Sequence, residues 1–538
     1  MGENTRQSKR KNILTKLSGL IIFLIVLVSH FQEKKWNDPN LIISGDVQVY
    51  YAYLPAYFIH DDIDFVNPEV YHTENHLRLQ YAENPNGDRY IRSTCGMAIV
   101  YAPFFFIGHL AASALGEPMD GFSYPYMFSL VIGTLLFLAL GLLFLSKLLL
   151  RYFDDRTVSI TLLVLYLGTN FFYYLTGTIL YPHGFSFTLL VIILYGTINW
   201  LEKPSIKWTL IIGFLAGLLV LIRPVDVLFV AFLPLIGVLS LKQFKERLQL
   251  LWDKKLYLLL MLVAGLVIMI PQFIYNYHLS GKLIFNMYAH SGERFFFTNP
   301  HLIDSLFSYR NGWLVYSPLM IFSLIGIVLM LRQRNQWIRY VLPVFLIYYF
   351  VLASWWCWWY AGFGNRAYIN MYPFLAISLA TAVHFFLQRS FVVRSGFKLI
   401  LFVGILLSLF QVNQFTRGVI HWGEMTKSAY WDVFLKEKPS ELYSTYLRVP
   451  NVVDRKKGLD RIFEPKVELI YQKDFSFDAG SIQDSSMALF VKNGVVEIPG
   501  KTEFFGDIPL PVSKDINEVY LTVWVKGADE GEMHITLT

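Results

Sequence analysis

GMAIVYAPFFFIGHLAASAL, residues 96–115, decides how this chain is threaded. Its 20 residues are apolar and, as a helix, would reach about 30 Å, the thickness of a hydrocarbon core. It also carries Pro103, His109 and Ser113, which suit a segment that lies at the interface or enters and leaves by one face. Further apolar runs lie at about 12–31, 124–149, 157–175, 182–200, 206–222, 226–241, 255–275, 312–331, 338–355, 367–388 and 397–415. Alternate connections hold Lys147, Arg151 and Arg156; Lys203 and Lys207; Lys242, Lys245, Arg247, Lys254 and Lys255; Arg332, Arg334 and Arg339; and Arg389, Arg394 and Lys398. Basic residues mark cytoplasmic loops. If 96–115 crosses, all of these fall outside. If it does not, all fall inside, with Arg6, Lys9, Arg10, Lys11 and Lys16 of the N-terminus. The chain therefore reads as about eleven spanning helices, with 96–115 re-entrant or interfacial inside a first external loop at about 32–123.

Composition agrees with that class. The 538 residues are 55% hydrophobic, 17% aromatic and only 16% charged. Soluble domains carry nearer ~25% charged residues. The excess is blocked into long runs, which defines an all-α polytopic membrane protein. The net charge of +6 sits in short loops and orients the chain, so no nucleic-acid partner is expected. Cys95 and Cys357 are too few for a disulfide framework or a zinc site, although both fall on the external side and one bridge between them is open. No small-residue cleavage site follows the first run, which reads as a retained span.

Three regions follow: a transmembrane domain at 1–415, a polar juxtamembrane linker at 416–465, and a small β-rich extracytoplasmic domain at 466–538. The last rests on alternating runs at Val467–Ile470, Ala488–Val491, Val495–Ile498, Val519–Val525 and Met533–Leu537. Asn493-Gly494 and Pro499-Gly500 supply turns between them.

The unusual chemistry collects in the external connections. Ser44–Phe65, SGDVQVYYAYLPAYFIHDDIDF, reads as an amphipathic aromatic helix for the membrane interface. One face carries Asp46, Tyr50, Tyr53 and Tyr57, and another Val47, Tyr51, Leu54 and Phe58. Asp46 either caps this helix or offers a reactive carboxylate. Arg223 and Asp226, between two apolar runs, either pair across one helical turn or leave Arg223 for an anionic headgroup. Arg89, Arg92, Arg294, Arg310 and Arg366 fall on the same side. A guanidinium donates two parallel hydrogen bonds to phosphate, so several together point to a phosphate-bearing lipid. The tryptophans of Trp355–Trp359, Trp358 among them, form an aromatic belt or stack on sugar rings. His183, after Pro182, is a surface histidine or a pocket residue. Asp61, Asp62 and Asp64 are solvated charge or weak ligands for a divalent cation, without EF-hand spacing; no other cofactor is implied. One reaction suits these parts. A sugar on a lipid phosphate leaves as an anion, which needs positive charge and no general acid. The acceptor hydroxyl needs one base, and direct displacement inverts the anomeric centre.

Over roughly 12–415 the chain resembles the GT-C superfamily of integral membrane glycosyltransferases, in the branch of protein O-mannosyltransferases and lipid A aminoarabinose transferases. The likeness is carried by Asp46 in Asp-Val-Gln-Val-Tyr-Tyr-Ala-Tyr-Leu-Pro, the run after Arg92, Tyr181-Pro-His183 and Leu221-Ile-Arg-Pro224. Phe307–Pro318 and Trp355–Arg366, with its Gly-Phe-Gly-Asn365-Arg366, complete it. The resemblance implies a polyprenyl-phosphate sugar donor, an acceptor glycan, lipid or protein, an inner-membrane location and catalysis outside the cytoplasm. It implies Asp46 as general base, with Arg89, Arg92, Arg223, Arg310 and Arg366 toward the donor phosphate and Tyr50, His183, Trp358 and Asn365 in the pocket. Asp46 lies further from its helix than the family's aspartate usually does. His183 stands where many members carry an acid, which bears on metal dependence. A flippase for polyprenol-linked glycans, or an O-antigen polymerase or ligase, would share the lipid. A transporter should show internal repeats and polar groups at mid-membrane depth, and neither is evident.

Overall fold

The computed structural model describes residues 12–66, 81–83, 87, 89–288 and 293–448, with short strands at 471–475, 487–491, 495–499 and 522–526. The chain divides into two compact units, residues 1–460 and 461–538. The first unit is built from α1 (Ile13–Glu33), α2 (Asp46–Tyr51), α3 (Gly96–Leu115), α4 (Tyr124–Leu149), α5 (Asp155–Leu167), α6 (Pro182–Glu202) and α7 (Ile206–Ile222). It continues with α8 (Leu241–Asp253), α9 (Lys255–Ser280), α10 (Ile321–Arg332), α11 (Ile338–Ala353), α12 (Tyr372–Leu387) and α13 (Phe391–Thr416).

Seven helices among the described residues are long and apolar enough to cross a membrane: α1, α3, α4, α6, α9, α12 with its leading turn, and α13. Four shorter apolar stretches accompany them: α7, Pro224–Leu235, Pro318–Arg332 and α11. This is an α-helical membrane protein. Its layers follow from burial. The apolar window of α12 is 83% buried, so this helix is the core, whereas α9 and α13 bury only 11% and 17% of theirs. Leu259, Val263 and Ile270 on α9, and Leu399, Phe402 and Val403 on α13, stay exposed because hydrocarbon is their solvent. With no hydrophobic drive between helices in lipid, close backbone approach matters. A Cβ at Gly213 of α7 would stand 2.3 Å from the Met261 carbonyl of α9, so only glycine lets these two helices meet.

Polar contacts define two ends. At one, Asp155 accepts from Thr15, Arg151 donates to Glu202 (3.0 Å) and Asn199 (2.6 Å), and Asp154 meets His384 (3.3 Å). At the other, the Lys35 ammonium donates to the carbonyls of Thr176 (2.9 Å) and Gly177 (2.8 Å). The start of α3 is tied to that second end: Thr94 donates to the Leu221 carbonyl, and the Cys95 N–H to Gln272 (2.7 Å). Its far end returns through Gly121, whose carbonyl accepts from Tyr51 of α2. Gly108 and Phe104 of α3 pack on Tyr126 and Gly133, in the first turns of α4.

Several expected runs differ in detail. The 44–65 helix is α2, a turn at Tyr53–Pro55 and a π-turn at Ala56–His60, closed by Asp61 at a φ of 49°. Val47, Tyr51 and Leu54 are buried as the expected apolar face requires, but Phe58 is half exposed against the rings of Phe105 and Phe106. The 226–241 run is not one helix. It is a 3-10 turn at Pro224–Asp226, a short helix at Val227–Ala231 and a second turn at Leu233–Leu235. Pro224 and Pro234 remove the donors a continuous helix would use. The basic connection after it folds into α8, begun by a Ser240/Gln243 capping box, with none of its residues buried. Residues 417–448 are not a linker. Met425, Ala429, Tyr430 and Val433 pack into a second apolar cluster with Tyr316, Phe363 and Ile420. No disulfide joins Cys95 and Cys357. Cys95 is buried, which pushes its thiol up to about 12.

In the second unit the strands 471–475, 487–491 and 495–499 pair antiparallel in sequence order, and 522–526 joins 495–499 in parallel. The expected runs at 467–470 and 533–537 lie outside the described residues.

Candidate functional site

Gly45 sets the site. Its φ of 55° is a backbone conformation that side chains rarely adopt, and a Cβ there would stand 2.7 Å from the Tyr181 hydroxyl. Glycine therefore lets the chain turn against Tyr181 and start α2 with Asp46. The Asp46 side chain does not cap that helix. Its carboxylate accepts from the Arg366 guanidinium at 2.5 Å. Arg366 lies over the Tyr181 ring, 4.6 Å from its centroid. Three segments distant in sequence thus meet: the entry to α2, the turn before α6, and the loop before α12.

A second layer lies beside this pair. His183, 2% exposed, places Nδ1 2.9 Å from the Asn370 side-chain oxygen and 3.3 Å from Arg223. Asn370 donates to Asp226 at 2.8 Å, and the Tyr348 hydroxyl donates to the other Asp226 oxygen at 2.6 Å. The expected alternative of an Arg223–Asp226 pair is not what forms. Both Asp226 oxygens are taken by neutral donors. Arg223 instead faces His183 and the Tyr360 ring, 5.8 Å from its centroid. Among the described residues no carboxylate forms an ion pair with Arg223, whose charge, like those of Asp46 and Arg366, acts on the Tyr50 phenol.

Tyr50 belongs to this centre. Burial first, and the Asp46 carboxylate second, push its phenol well above the ordinary value. Tyr288 is raised too, by burial and then by Glu293 and Asp46, with Arg223 and Arg92 acting the other way. Arg92 stands at this rim, 3.4 Å from Glu293. Arg89 turns to Glu83 at 3.4 Å and to the Val66 carbonyl at 3.1 Å. Arg310 donates to the Arg448 carbonyl at 3.2 Å. These last two contacts tie loops together.

Trp358 and Asn365 build the loop that presents Arg366. The Asn365 amide donates to the Trp358 carbonyl at 2.7 Å, and the Trp358 ring stacks on His301 at 5.4 Å. Asp64 meets His278 at 2.7 Å, and Asp62 accepts from the Val66 N–H at 2.8 Å. Among the described residues no three His, Cys, Asp or Glu side chains gather as a metal site, so the Asp61, Asp62 and Asp64 group is not assembled as one.

Asn370 and Tyr348 were not singled out from the sequence. Each is a polar group inside an apolar run, and an ionisable or amide side chain there is a functional signal in itself. The geometry defines a class: an α-helical membrane protein with a carboxylate–guanidinium pair, its arginine largely buried and its carboxylate partly exposed, at the end opposite its basic loops. No family model matches the chain, and no curated protein matches it.

Proposed function

We propose that this protein is a membrane glycosyltransferase of the GT-C kind, moving a hexosyl or pentosyl group from a polyprenyl-phosphate donor to an extracytoplasmic glycan, lipid or protein. The observation that carries the reading is the Asp46–Arg366 pair, with Arg223 acting on the same Tyr50 phenol. A lipid phosphate would take the arginines, whose positive charge stabilises the leaving anion. Asp46, released from Arg366, would then accept the proton of the attacking hydroxyl, and the displacement inverts. Arg92 would meet the same phosphate from the rim.

The threading belongs to this reading. α1, α4, α5, α6, α7, the broken stretch 224–235, α9, 318–332, α11, α12 and α13 make eleven crossings, with α3 interfacial. The basic ends face the cytoplasm of a bacterial inner membrane, and the C-terminal β domain is extracytoplasmic. Both ends of α3 meeting one end of the bundle supports that path.

The test is purified protein reconstituted with a panel of polyprenyl-phosphate sugars, with donor binding and donor turnover scored separately. Asp46→Asn should lose about 10²-fold or more in turnover with binding kept. Full turnover in that variant removes Asp46 as base. Donor binding by the wild type with transport and no transfer would favour a flippase. Transfer to a growing sugar chain would favour a polymerase or ligase.

A further inference from the structure

The hydrogen-bond order around His183 fixes which ring nitrogen carries its proton. A carboxylate only accepts, so Asp226 requires the NH2 of Asn370 and the hydroxyl of Tyr348 to point at it. The Asn370 oxygen is thereby turned to His183 Nδ1, 2.9 Å away. An oxygen there needs a donor, so Nδ1 bears the hydrogen and Nε2 is left as an acceptor. Arg223, 3.3 Å from Nδ1, brings only donors and cannot take that place. No described group bonds Nε2, and the residue is only 2% exposed. The relay Asp226–Asn370–His183 holds the ring in one orientation. Tyr174, 5.7 Å from the imidazole by ring centres, in turn packs on Tyr181, over which Arg366 sits. Through these two rings His183 adjoins the Arg366–Asp46 pair.

We propose that His183 Nε2 is the acceptor for a hydroxyl of the sugar carried on the lipid donor, a positioning and selectivity contact beyond the phosphate and the base. This rests on the glycosyltransferase reading. Its chemistry separates it from the arginines: they recognise the phosphate that every polyprenyl phosphate carries, whereas Nε2 recognises only what is attached to it. A site built to bond a hydroxyl rejects an analogue that lacks one, because its own polar atom is then stranded.

The experiment compares binding of bare polyprenyl phosphate and of polyprenyl-phosphate hexose to wild type, His183→Phe and His183→Gln in nanodiscs. His183→Phe should weaken the hexose lipid by about 10- to 100-fold and leave the bare lipid within about twofold. His183→Gln offers a donor to Asn370 and an acceptor oxygen, and should recover part of the loss. Equal loss for both lipids, or none for either, overturns the assignment while the wild type's binding keeps the functional reading. If the wild type binds neither lipid, the functional reading falls, and this contact with it. Should His183→Phe fail to fold, ¹⁵N NMR of histidine-labelled wild type decides, with His183→Gln locating the signal. A protonated Nδ1 and bare Nε2 are expected, with Nε2 shifting on addition of the hexose lipid and not of the bare one. A proton on Nε2, or no selective shift, overturns the proposal.

Discussion

A single glycine carries much of the site's geometry. Gly45 holds a φ of 55° under the Tyr181 hydroxyl, and the next residue is Asp46. Gly45→Ala should therefore cost about 1–3 kcal/mol from the positive-φ backbone alone. The Tyr181 contact adds to this. Thermal unfolding of Gly45→Ala, Tyr181→Phe and the double variant separates the two terms. The double variant should recover the steric part and keep the backbone part; if it recovers nothing, Tyr181 is not the obstacle. Asp46 was legible because a carboxylate just beyond the first apolar run is rare. Arg223 and Arg366 were legible because a cation beside an apolar run is expensive. What the sequence could not tell is who pairs with whom. Asp226 lies three residues from Arg223, yet its bonds go to Tyr348 and Asn370, far along the chain. Proximity in sequence suggested a pair that tertiary packing did not make. Nor does the sequence show that the Asn365 amide donates to the Trp358 carbonyl in the loop before Arg366.

At the scale of elements, the end of the bundle opposite the site is held by carboxylates at helix starts. Asp154 caps α5, accepting from the N–H groups of Arg156 and Thr157, both at 3.1 Å. Asp155 joins α5 to the start of α1, accepting from the Thr15 N–H at 2.8 Å and the Leu14 N–H at 3.0 Å. Burial acts to raise the Asp155 carboxyl, but the Thr15 hydroxyl and these two N–H groups outweigh it and hold the carboxyl below its usual range. A depressed carboxyl stabilises the fold above its unfolded value of about 3.9, and that contribution is lost as pH falls through the folded value. Asp155→Asn should thus lower the unfolding temperature at pH 7 by on the order of a degree or two, and the gap should close below about pH 4. A gap independent of pH would mean packing, not charge, joins these helices. Other elements escaped the sequence for physical reasons. Met425, Ala429, Tyr430 and Val433 have helical spacing, but charged neighbours mask the stripe, so a packed segment read as linker. The run at 226–241 read as one continuous helix because hydropathy sums side chains and does not register what two prolines do to the backbone.

For the whole molecule, charge and packing speak to the same question from different sides. Long apolar runs made the class plain, since only helices satisfy their own backbone in hydrocarbon. Length alone would count α3 among the spans, because its 20 residues suffice. Its contacts point the other way. Cys95 before it is held by Gln272, and Gly121 after it by Tyr51, which sits on α2 with Asp46. On the proposed interfacial path, α3 changes the parity of everything after it. Four exposed positions read this out in a background of Cys95→Ala and Cys357→Ser: Glu117→Cys, Lys245→Cys, Arg334→Cys and Lys427→Cys. A membrane-impermeant thiol reagent applied to intact cells should label Glu117→Cys and Lys427→Cys, and should reach Lys245→Cys and Arg334→Cys only after the cells are opened. If α3 crosses, the labelling of all four inverts, and the basic loops then face outward. The carboxylate–guanidinium centre shares its end with Lys427, on the chain just past α13, so the same four positions also fix the compartment of the site. External labelling at Lys427 puts the centre where a flipped polyprenyl-phosphate donor is found. Labelling there only in opened cells would turn it toward the cytoplasm, where nucleotide sugars are available and a lipid-phosphate donor loses its rationale.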